Sequence, residues 1–134
     1  MNKLFSSDPI AQELIIALLR IIIAVFLIIH GKEVFDTAKM EEYTNWDTFK
    51  TSPIMPYLGK GAEFLAGLLL LTGLFTRLAC IITVGTFAYI TFFIGNGKFW
   101  MEDQHPFMFV LFALFFFFTG PGAMSLDKII FKQK

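Results

Sequence analysis

Four apolar blocks separated by polar breaks set out the chain. The first, within ELIIALLRIIIAVFLIIHG, runs over roughly residues 10–32. At about 1.5 Å per residue a helix of that length crosses a ~30 Å hydrocarbon core. Ser7, Asp8 and Pro9 precede it as a helix-start signal. A segment of mixed charge, roughly 33–56, comes next; it predicts a loop with a short amphipathic helix, Tyr43 and Trp46 lying at headgroup level. The second and third blocks, roughly 57–75 and 78–95, are separated only by a turn around Gly73, Thr76 and Arg77, which predicts an antiparallel hairpin. The fourth, roughly 105–120, opens on His105 and Pro106, with proline at the first helical position where no amide donor is missed. Its apolar part is near the short limit for spanning. Gly120, Pro121 and Gly122 end it, and a short basic tail follows.

This pattern predicts one all-α domain over residues 1–134, an integral membrane four-helix bundle with both termini on the same side. Composition strengthens it: 56% of residues are hydrophobic and 17% aromatic, with 18 phenylalanines, where soluble domains are nearer about 45–50% apolar. Phe115 to Phe118 are too continuous to form one face, so half of that run must meet lipid or a partner chain. The formal net charge of zero gives no electrostatic reason for a nucleic-acid partner. Asp8 and Glu13 interrupt the start, and no small-residue cleavage site follows the long first block, so it is expected to stay as a span and not to be removed as a signal peptide. The lone Cys80 excludes an intramolecular disulfide, a CxxC centre and a multi-cysteine metal site; it is expected as a small buried hydrophobe.

Two charges stand out inside this apolar sequence, Arg20 in the first span and Glu63 in the second. An unpaired charge there costs about 2.5–3.5 kcal/mol on insertion scales. Their expected depths differ by about 7 Å, which an extended arginine covers, so a buried Arg20–Glu63 pair is expected. Gly59, Glu63 and Gly67 share a helical face that should look into the bundle. Thr86, Tyr89 and Asn96 form a thin polar stripe on the third span, although threonine hydroxyls in membrane helices usually bond a preceding carbonyl. The loop end should collect His30, Glu33, Trp46, Lys60, Trp100, Glu102 and His105. Two readings stay open. The pair fixes how the helices pack, or it floors a pocket open to the loop side, where a polar head such as a quinone carbonyl binds and protons pass through Glu63 and a histidine. In the second reading Glu63 and Arg20 carry the chemistry, while His30, His105, Tyr89 and Trp100 contact the ligand, whose flat ring suits an aromatic wall. His30 and His105 lack regular ligand spacing, and no metal site is expected.

An arginine ten residues before a His-Gly pair (Arg20 and HGKEVF), EFLAGLLLLTGLFTRLA, and TGPGAMSLD after the fourth block occur in order over nearly the whole chain. This set resembles the DoxX family of small four-helix bacterial membrane proteins, which includes a subunit of thiosulfate:quinone oxidoreductase. The resemblance implies an inner-membrane protein in a quinone-linked or other redox setting, beside partner membrane or redox proteins or as a homo-oligomer. Lysines and arginines near the span ends favour cytoplasmic termini. No intrinsic cofactor is evident, since haem-ligand pairs, nucleotide-binding glycine motifs and paired cysteines are all missing; a quinone is the ligand class implied. The alternative is a non-enzymatic assembly subunit of a larger membrane complex. A solute transporter fits less well, because four spans are few for a transport path.

Overall fold

The computed structural model describes residues 3–131. Among these residues it is all-α, with no strand and six α-helices. Helix α1 is Gln12–Gly31, α2 Thr37–Thr44, α3 Met55–Thr72, α4 Thr76–Tyr89, α5 Gln104–Thr119 and α6 Leu126–Phe131. The helix of α1 is prolonged by a 3-10 turn, Lys32–Phe35, and that of α4 by a π-helical turn, Ile90–Ile94. Two of the resulting helices, Gln12–Phe35 and Thr76–Ile94, are long and apolar enough to cross a membrane.

The four long helices pack α1 on α3, α3 on α4, α4 on α5, and more lightly α5 on α1. Small residues set the closest approach. A Cβ on Gly67 would lie 2.8 Å from Ile28 Cγ1 and 3.0 Å from its amide nitrogen, and one on Gly31 would collide with the backbone of Phe64. Such contacts let two helix backbones meet where lipid-like surroundings give little hydrophobic drive to association. Across the bundle Phe87 stacks on Phe109 with ring centroids 4.6 Å apart, and Leu27, Leu70, Cys80 and Phe116 are fully buried. Phe116 therefore faces inward while Phe115 and Phe118 face out, as expected of an apolar run longer than one face.

Helix ends explain the connections. Gly73, at φ 71°, closes α3 in the left-handed conformation that glycine adopts without steric cost. The next helix starts two residues after Leu74, and its first amides, of Phe75 and Thr76, donate to the Asp127 carboxylate at 2.7 and 2.8 Å. An N-cap is thus supplied from the far end of the chain. At the other end the Asp103 carboxylate accepts from the amides of Asn96 and Lys98, closing the loop between α4 and α5. Helix α5 begins at Gln104, so Pro106 sits inside its first turn and not at its first position. The hydroxyls of Thr83 and Thr91 donate to the carbonyls of Ala79 and Phe87, each at 2.8 Å.

Candidate functional site

The two charges of the apolar helices do not pair. Arg20 is fully buried, and its Nη2 donates to the carbonyl of Met124 at 3.0 Å. Glu63, 3% exposed, lies instead 3.5 Å from Lys60 Nζ. The reason is side-chain direction: Cα–Cβ bonds tilt toward a helix's own N-terminus. Helices α1 and α3 run oppositely, so Arg20 leans toward the end that carries the tail and Glu63 toward the end that carries the α1–α3 loop. Depth along the axis brought them close on paper; direction parts them.

At the tail end, Arg20 is closed over by the backbone. Met124, with φ 52°, presents its carbonyl to the guanidinium, and the Arg20 Nε and Nη1 and Thr76 Oγ1 are buried without a partner among the described residues. Asp127 acts on Arg20 electrostatically while it caps α4. The Ala123 amide donates to the Glu13 carbonyl at 3.0 Å, Lys128 pairs with Glu13, and Arg77 Nε donates to the Phe117 carbonyl. Residues 120–127 thus form a strap over the start of α1 and the α3–α4 turn, which puts both ends of the described chain on one side of the helices.

At the loop end, three elements converge on Lys60. Its Nζ lies 3.1 Å from Glu33 Oε2, and the Tyr43 hydroxyl donates to that same oxygen at 2.7 Å. The ammonium also sits 5.3 Å from the centroid of the Tyr43 ring, a distance at which the ring face attracts a cation. Burial, then the hydrogen bond and charge of Glu33, hold the Tyr43 hydroxyl above its ordinary pKa. Trp46 packs edge-on against Tyr43 and stacks on Phe49. This aromatic segment folds over α3 and α4 to roof a cavity of about 590 Å³, whose walls include Tyr43, Trp46, Lys60, Glu63, Thr86 and Tyr89.

Of the six residues given catalytic or ligand-binding roles from sequence, the structure therefore brings Glu63 and Tyr89 to one cavity. His30 and His105 do meet, with ring centroids 5.9 Å apart and both rings edge-on to Phe109, but neither lines the cavity. Trp100 is 61% exposed, packs edge-on against Phe99 and lies outside it. Asn96 also leaves the stripe of Thr86 and Tyr89, because the π-helical turn between them adds a residue to the winding and places Asn96 in the loop. Sequence reasoning placed Lys60, Glu33 and Tyr43 near this end but not in the site; the signal for Lys60 was its i,i+3 spacing to Glu63. Among the described residues no three His, Cys, Asp or Glu side chains gather to hold a metal ion.

The profile of the DoxX family matches residues 15–96. The chain belongs to the DoxX family. DoxX proteins are membrane proteins, often associated with redox or quinone-linked systems, and the two helices of spanning length agree with a membrane location. An uncharacterized protein of Haemophilus influenzae is 33% identical over 129 residues, covering 88% of this chain and 92% of the relative. No solved structure matches the chain. The DoxX match contains Arg20, Glu33, Tyr43, Lys60, Glu63 and Tyr89, and it ends before His105 and the strap.

Proposed function

We propose that this DoxX protein is a subunit of a quinone-linked redox system in the bacterial inner membrane, and that the cavity between α3 and α4 binds a quinone or a similar flat, polar-headed molecule. The observation that carries the reading is the cavity itself. Its volume of about 590 Å³ falls within the ~300–1,000 Å³ usual for small-molecule sites, and such sites combine apolar walls with a few placed polar groups. Trp46, Phe49 and Tyr89 supply aromatic wall, and Lys60 and Glu63 supply the polar end. A quinone carbonyl would accept from the Lys60 ammonium, and Glu63 would serve as the nearby proton carrier.

In this reading α3 and α5 cross the bilayer together with the two helices of spanning length, giving four spans, cytoplasmic termini and a periplasmic aromatic roof. The outward leucines, isoleucines and phenylalanines of α1 and α5, Ile22, Phe26, Phe115 and Phe118 among them, are exposed without a bilayer and would meet lipid. Electrons would come from a partner redox protein.

The test is fluorescence titration of the detergent-purified protein with a ubiquinone or menaquinone analogue. The chain has 2 tryptophans, and only Trp46 lines the cavity. Quenching that disappears in Trp46→Phe and weakens in Glu63→Gln is expected. Absence of binding, or binding indifferent to Glu63→Gln, removes the proposal.

A further inference from the structure

Glu63 has no hydrogen bond to either histidine among the described residues, yet it does have a route to solvent. Side-chain exposure rises in order from Glu63 at 3% to Lys60 at 18% and Glu33 at 27%. Each step in that order is a close contact, 3.5 Å from Glu63 Oε2 to Lys60 Nζ and 3.1 Å from Lys60 Nζ to Glu33 Oε2. We propose that Glu63 exchanges protons with water on the loop side through Lys60 and Glu33, and not through the histidine pair. The purpose of such a route rests on the reading of the cavity given above; the route itself does not need a ligand.

The step balances without any co-reactant but water. Glu33 takes a proton from solvent. The Lys60 ammonium gives one of its protons to Glu63 Oε2 and receives the proton held by Glu33, so Lys60 ends as it began. The cluster of two carboxylates and one ammonium goes from net charge −1 to 0, and one proton has moved from water to the buried carboxylate. A lysine is suited to this because its ammonium carries three protons on a rotatable head. The Glu33 oxygen is held in place by the Tyr43 hydroxyl, which fixes the far end of the relay. The other titratable groups acting on this line are Lys39 and Glu42 from α2 and His30 from α1.

Arginine at position 60 separates charge from proton transfer, because guanidinium keeps its proton. The experiment is an acid jump on ligand-free protein in lipid nanodiscs, following the infrared band of the protonated carboxyl that is lost in Glu63→Gln. Lys60→Arg is expected to slow the rise of that band by about tenfold or more, and Glu33→Gln similarly, while His30→Asn and His105→Asn stay within about twofold of the parent. An unchanged rate in both Lys60→Arg and Glu33→Gln overturns the route, as does slowing confined to the histidine variants. Since no quinone is present, a route that depends on Lys60 in a protein that binds no quinone analogue stands while the quinone reading falls, and the reverse result separates them equally.

Discussion

Arg20 and Glu63 are both charged groups buried in apolar helices, 0% and 3% exposed, and the protein treats them in opposite ways. Arg20 is sealed: a backbone carbonyl, the strap and the α3–α4 turn close over it, and two of its nitrogens have no partner among the described residues. Glu63 is served: it borders a cavity and joins a line of groups leading to solvent. Burial of a charge does not by itself mark a working site. What separates the two is connection: the arginine fastens the tail, whereas the carboxylate borders a cavity and touches groups that reach solvent.

The largest expected effect lies at the sealed end. Arg20→Ala should cost about 3–5 kcal/mol in detergent unfolding, through an unfilled space and an unanswered Met124 carbonyl and Asp127 charge. Arg20→Met, which keeps most of the volume, should recover only the part of that loss that comes from the unfilled space, since the Met124 carbonyl and the Asp127 charge stay unanswered. If Arg20→Met abolishes binding of the quinone analogue while the protein stays folded, the contrast between the two ends is wrong. Asp127→Ala should cost less, about 1–2 kcal/mol, the usual value of an N-cap, and limited proteolysis should then reach the strap first. Glu63→Gln should change stability by less than about 1 kcal/mol, because the amide keeps volume and a hydrogen-bonding oxygen beside Lys60; a larger loss would make the loop end structural too.

The smallest effect is a pH dependence at the roof. Tyr43 has its pKa raised from 10.0 by burial and by Glu33. A group whose folded value is raised adds stability that is full below its unfolded value and is lost as pH rises through the folded one. The stability gap between the parent and Tyr43→Phe should therefore be constant at neutral pH and shrink in strongly alkaline solution, as thermal melts across that range would show.

The helices were legible because hydropathy alone marks segments of that length: the expected spans at roughly 10–32, 57–75, 78–95 and 105–120 meet helices Gln12–Gly31, Met55–Thr72, Thr76–Ile94 and Gln104–Thr119. The inward face of α3 was legible too, since Gly67 beside Glu63 announces close approach. The pairing was not. Depth along the axis matches Arg20 with Glu63, but the tilt of side chains toward each helix's start sends them to opposite ends. Asn96 was lost to a turn of π-helix, a winding change that apolar residues do not announce. Lys60 and Tyr43 read as rim in the sequence because the fold-back of α2 onto α3 depends on contacts between elements, which no periodicity records.

The strap also sets a clock. The carbonyl that answers Arg20 lies 104 residues further along the chain. At ribosomal rates of ~5–20 residues per second, the first helix waits about 5–20 s before its cation meets that group. During that interval the guanidinium lacks the carbonyl that answers it in the finished bundle, and the first helix stays unfastened until Met124 emerges.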